Sequence, residues 1–174
     1  MAISVRTDPL RNFKFRVSIN QTNISGIAQL GFASVSGLSV QNEMIAYREG
    51  GWNTSPHKMV GQSDFAPLSL SRGIMPNQQQ LWDWQSYIYY FQMGQGNLDA
   101  NNSTAYRCDI QIDVFDHPIT RGVSDNNPGP VKLRYMVYNA WPGAFAVNDL
   151  DATSNALLIN QMTIHHEGFS IQYL

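Results

Sequence analysis

Tyr106-Arg107-Cys108-Asp109-Ile110-Gln111-Ile112-Asp113-Val114-Phe115-Asp116 alternates almost without a break. Cys108, Ile110, Ile112 and Val114 fall on one side; Arg107, Asp109, Gln111 and Asp113 fall on the other. Side chains of an extended chain point to opposite faces in turn, so a period of two marks a strand with one buried face. The same pattern runs from Asn12 to Asn20, with Phe13, Phe15, Val17 and Ile19 opposed to Lys14, Arg16 and Ser18. Two such segments far apart in the chain point to a sheet fold, and the rest of the sequence is read outward from them.

Asn20 to Asn23 is a polar turn. Ile27 to Ala46 is rich in small and β-branched residues, and predicts two or three strand pieces bent at Gly31 and Gly37. Arg48 to Asp64 breaks the pattern. Gly50-Gly51, Asn53, Ser55-Pro56 and Gly61 predict a long, turn-rich loop, of the kind that is usually functional or disordered. Alternation resumes through Leu68 and Leu70 in Ala66 to Gly73.

One helix is predicted, over about 76–93. Pro76 and Asn77 stand at its start. Leu81, Trp82, Trp84, Tyr87, Ile88 and Phe91 recur at spacings of three and four, and Gly94 and Gly96 end it. Such a stripe packs on a sheet far more often than it holds a cofactor. Gly94 to Thr104 reads as a linker, and Asp125 to Pro130 as a strong turn. Val131 to Asn139, Leu157 to Glu167 and Phe169 to Leu174 supply the last strands. The expected fold is mainly β, an antiparallel β-sandwich or flattened barrel with one flanking α-helix, as a single domain over 1–174.

Charged residues make up 14% of the chain, against roughly 25% in an ordinary soluble protein. Asn, Gln, Ser and Thr fill the gap. A poorly charged, aromatic-bearing surface suits a subunit that hides its outside against copies of itself, because interface cores are depleted in charge. It is also compatible with a neutral, Asn-rich monomer. Net charge is −2 and no Lys/Arg cluster occurs, which argues against sequence-specific nucleic-acid binding. Cys108 is the only cysteine, so neither a disulfide framework nor a thiolate metal cluster is expected. No basic and apolar leader opens the chain, and no apolar run approaches a membrane span. Folding in the cytoplasm is expected.

No catalytic, cofactor-binding or metal-binding residues are assigned. His165 and His166, being adjacent on a strand, point to opposite faces and cannot both ligate one ion without a backbone irregularity. Asp109 and Asp113 share a face with Arg107 and Gln111, which reads as a solvated or interfacial face, not an acid/base pair. Cys108 reads as a small core residue. Trp82, Trp84 and Trp141 read as core. No phosphate loop, nucleophile elbow or dinucleotide fingerprint is present, so an enzyme is not expected.

Several segments taken in order carry a further signal: Asp8-Pro9 with Asn12 to Val17, then Gly31 to Leu38, Tyr47-Arg48-Glu49-Gly50-Gly51 and His57 to Gly61. Leu68 to Gly73 follows, then Leu81 to Trp84, Asn139-Ala140-Trp141-Pro142 and His165 to Phe169. In this order they resemble the tube proteins of contractile phage tails, R-type pyocins and extracellular contractile injection systems. The chain departs from the family's usual turn at Pro56 to Gly61, and its stretch from Pro118 to Pro130 is longer than expected.

The resemblance implies a structural subunit forming stacked hexameric rings around a channel for DNA or cargo. Implied partners are further copies of itself, the tail sheath protein, baseplate or initiator proteins, and a tape-measure protein in the lumen. DNA would be a partner only in transit. The place implied is the virion tail or a phage-like particle, assembled in the host bacterial cytoplasm. Residues 47–64 would be an arm between subunits or rings, with Tyr47, Arg48, Glu49, Gly50, Gly51, Trp52, His57 and Lys58 as contact candidates. Ser34, Ser36, Ser39, Gln41, Glu43, Ser69 and Ser71 are candidates for the channel lining. A type VI secretion-like ring protein and a monomeric β-sandwich binding module, for instance one that takes carbohydrate, are the alternatives.

Overall fold

The computed structural model describes residues 9–20, 27, 30–51, 54–94, 106–116, 129–153 and 155–174. Its strands are β1 (Phe15–Ile19), β2 (Ser34–Ser36), β3 (Val40–Tyr47), β4 (His57–Phe65) and β5 (Leu68–Gly73). After the helix α1 (Gln80–Gln92) come β6 (Cys108–Phe115), β7 (Val131–Val147), β8 (Ile159–His165) and β9 (Gly168–Tyr173). All pairings between them are antiparallel.

β7 is the strand on which the fold turns. Its first part pairs with β6 on one side and β9 on the other; its last part pairs with β8. One half-sheet is therefore β1-β6-β7-β9 and the other is β2-β5-β8-β7, joined through β7 itself. The turn between halves occurs at Asn139, which takes φ 51°. Asparagine visits this left-handed region more readily than other residues with a Cβ. The register with β6 slips by one residue at the same place, between Cys108↔Ala140 and Ile110↔Val137. A bulge of this kind bends a strand and increases its twist.

Alternation then explains the core. Val17, Ile19, Ile110, Ile112 and Val137 come from the inner face of the first half; Leu68, Leu70, Met162 and Ile164 come from the second. Leu81 and Trp84 of α1 close the same cluster, and Trp84 donates its indole N–H to the Tyr106 carbonyl at 2.8 Å. Full burial of side chains of this size contributes about 1.5–3 kcal/mol each. Gly94, at φ 70°, stands just past the helix end, as expected of a C-terminal glycine.

Five expectations need correction. The chain 57–65 is a strand, not part of a long loop, because it pairs with β3. β7 runs on through Trp141-Pro142 to Val147. The helix begins at Gln80, leaving Pro76 and Asn77 in a turn, and its stripe is narrower than expected: Trp82 and Phe91 are half exposed. A second slip between Val114 and Phe115 buries Phe115 in place of Val114. Asp113 is buried rather than solvated, and its carboxylate accepts from the Arg134 guanidinium at 2.6 Å.

Candidate assembly surface

β3 and β4 form a two-stranded sheet of their own, and almost every residue along it is exposed. Its register pairs Met44 with Val60 and Ile45 with Met59. Neighbouring positions on a strand face opposite ways, so these two apolar pairs lie on opposite faces, and neither face is covered. Towards the root the pairs are polar, Gln41↔Asp64 and Asn42↔Ser63. A slip between them places Gly61 against Glu43, where a Cβ would lie 3.0 Å from the Glu43 carbonyl oxygen. An isolated two-stranded hairpin is only marginally stable in water, and a bare apolar one invites pairing.

The hairpin root is firmly held. Gly37 (φ 99°) packs so closely on Pro67 that a Cβ would come within 2.1 Å of the Pro67 carbonyl oxygen. Ala66 N–H donates to the Ser39 carbonyl, and the Phe65 ring lies against His166 and Phe169. The hairpin is thus a projecting arm on an ordered base.

Of the expected arm residues, Tyr47, His57 and Lys58 lie at its far end in register, Ala46↔Lys58 and Tyr47↔His57. Arg48, Glu49, Gly50 and Gly51 follow in the connecting turn, with Gly51 at φ 94°. Trp52 lies outside the described residues. The lining candidates separate into two places. Ser34↔Ser71 and Ser36↔Ser69 face each other across β2 and β5. Ser39 sits at the hairpin root, and Gln41 and Glu43 belong to the hairpin sheet instead.

The serine rows continue across residues that no sequence pattern marks. Ser71 is followed by Gln161 and Ala146, and Ser69 by Thr163 and Ala144. Gln161 donates to the Ser69 hydroxyl at 2.9 Å. These rows form the outward face of the second half-sheet and carry no charged side chain. Next to them Trp141 and His165 stack with ring centroids 4.8 Å apart. The first half-sheet differs: its outward row reads Arg16, Asp113, Arg134.

His166, just past the end of β8, reaches the Ala66 carbonyl at 3.1 Å. Burial, reinforced by Asp109, pushes the Cys108 thiol up to about 12, so it is inert at neutral pH. Among the described residues no group of His, Cys, Asp and Glu is placed to hold a metal ion, and no helix is long and apolar enough to cross a membrane.

A projecting arm and an uncharged sheet face are features of a part that joins other parts. The sequence pattern of the family described as T4-like virus tail tube protein gp19 matches residues 11–170. The chain belongs to that tail tube family. The tail tube fold is shared with a chain of an extracellular contractile injection system sheath–tube complex in the extended state. Identity there is 26%, with TM-score 0.69, over 95% of this chain and 93% of that one. The tube-terminating cap of the anti-feeding prophage gives 25% identity and TM-score 0.70, covering 100% and 97%. A chain of the six-fold symmetrised anti-feeding prophage baseplate shares the fold at 20% identity and TM-score 0.75, covering 97% and 98%. No curated protein sequence matches significantly. The likeness of this tail tube protein to a type six secretion system protein is one of fold alone.

Proposed function

We propose that the chain, acting as a single domain over 1–174, forms hexameric rings whose channel is lined by the half-sheet β2-β5-β8-β7. The observation that carries this is the pair of edges on that half-sheet that are left free among the described residues. β2 is its last strand on one side. On the other, residues 141–147 of β7 pair with β8 alone, because β6 reaches only Ala140 and β9 only Tyr138. The four strands alternate in direction, so the two edges run oppositely. A neighbour's β2 beside β7 therefore continues an antiparallel sheet, and repetition closes a ring with no edge left unpaired.

The face presented to the channel would be Ser34, Ser36, Ser69, Ser71, Gln161 and Thr163. Basic side chains there would hold phosphates; an uncharged lining lets DNA or protein cargo pass. The subunit's work is mechanical, stiffness from continuous β pairing, with no bond-making step. A sheath outside, a baseplate or initiator at one end and a tape-measure protein within complete the assembly. It would be built in the host bacterial cytoplasm, as the tail of a virion or phage-like particle.

The lining is tested by Gln161→Cys and Ala146→Cys, each treated with a maleimide carried on a particle too wide for the channel. Cys108 stays silent because it is buried. Free subunits should label, and assembled tubes should be protected except at their ends. Equal labelling of tubes and free subunits would overturn the lining.

A further inference from the structure

The two ends of the β2-β5-β8-β7 half-sheet are unlike, and the difference points to where the arm goes. One end carries Ser36, Leu68 and His165, and from it the β3–β4 hairpin departs. The other carries Gly73, Ile159 and Val147, and here the β7–β8 connection turns back. Asn148 N–H donates to the Ile159 carbonyl, and Ile74 N–H to the Leu158 carbonyl, so the connection is tied to the sheet end. It surrounds an open concavity of about 520 Å³ lined by Val147, Leu150, Leu157 and Leu158 together with Asp149 and Asp151. Leu150 and Leu157 are 84% and 83% exposed. Leucines so placed on a subunit of low charge mark a contact surface.

We propose that this β7–β8 concavity is the socket for the distal half of the hairpin of a second copy of the chain, in the adjacent ring. The inference rests on the tube reading and adds the receiving site, which that reading leaves open. Three observations select this occupant. Arm and concavity lie at opposite ends of one sheet, so a shift of one copy along the strand direction brings the arm of one to the socket of the next. The arm has the reach: eight residues of β3 at about 3.3 Å each extend about 26 Å, comparable to the height of the half-sheet. The surfaces also match in kind. Val60, 81% exposed, and Met44, Ile45 and Met59 supply apolar surface for the leucines. Arg48 and Lys58 outnumber Glu49 at the arm's end, against Asp149 and Asp151 in the socket. Asp151 stays ionised, since Thr153 donates to it from both its backbone N–H and its hydroxyl.

A contact of this kind is head-to-tail, with different surfaces on the two partners. That gives a test which a general loss of stability would not mimic. One variant disables the arm (Met44→Ser, Lys58→Ser, Val60→Ser); another disables the socket (Asp149→Ser, Leu150→Ser, Leu157→Ser). Both sets are exposed, so unfolding curves should stay close to wild type. Each variant alone should give single rings and no tubes by electron microscopy. Mixed together they should give ring pairs that do not lengthen, because each pair has one good junction and two dead ends. Tubes from the socket variant, or no pairing in the mixture, would overturn the socket while leaving the tube reading in place. Failure of the wild type to give rings or tubes, even on seeds, would instead remove the tube reading.

Discussion

Gly143 shows how closely single residues are constrained in this fold. It is the extra residue where β7 slips against β8, between Pro142↔Ile164 and Ala144↔Thr163. A Cβ there would lie 2.2 Å from the Cδ2 atom of His165. The imidazole cannot yield easily, being stacked on Trp141. Gly143→Ala should therefore destabilise the monomer by about 1–3 kcal/mol, the usual cost of overpacking. Urea unfolding measures this, and adding His165→Ala should recover most of the loss. Equal stability of Gly143→Ala and wild type would show that the ring moves freely.

At the scale of elements, the crossing of β7 from one half-sheet to the other is held by side chains from β7, from β6 and the residue just before it, and from the β8–β9 corner. Asn139 donates its amide to Glu167 at 2.6 Å, and its backbone N–H to Asp109 at 3.0 Å. Arg107 forms an ion pair with Glu167. The Asn139 hydrogen bond first, and Arg107 second, hold the Glu167 carboxyl below the usual carboxylate range. A carboxylate depressed on folding adds stability that is fully present above its unfolded value of about 4.3, and is lost as pH falls through the lower folded value. The melting temperature of the wild type should therefore fall more steeply below about pH 5 than that of Glu167→Gln. Thermal unfolding across pH reads this directly; parallel curves would mean that the lock adds nothing.

How far these elements are legible in sequence depends on what each one buries. β1, β5, β6 and α1 each press one face on the core, so the periodicity of their apolar residues is visible. β4 buries neither face, so His57 to Phe65 has no reason to alternate, and its glycine reads as a loop. The last part of β7 is hidden by Pro142 and Gly143, which usually end strands but are tolerated on an edge and in a bulge. The uncharged rows of the second half-sheet are half visible. Ser34, Ser36, Ser69 and Ser71 follow from alternation, whereas Gln161, Thr163, Ala144 and Ala146 enter only through the register. Gln41 and Glu43 look like part of the same rows, because nothing local shows that the chain leaves the half-sheet at Gly37.

For the whole molecule, the parts that make no sense alone make sense in repetition. Two free strand edges, a two-faced apolar arm and a leucine-lined concavity are liabilities for a monomer. In the proposed tube each would find a partner, with copies related by rotation about an axis and by translation along it. The family match over residues 11–170 makes the chain a tail tube protein, and repetition of the subunit is what such a tube requires. The measurement that tests it most directly is electron microscopy of the purified protein at high concentration, alone and with preformed tube seeds, with native mass determined in parallel. Hollow rings or tubes with six-fold end views are the predicted result. A sample that stays monomeric at every concentration, and fails to extend the seeds, would contradict the account.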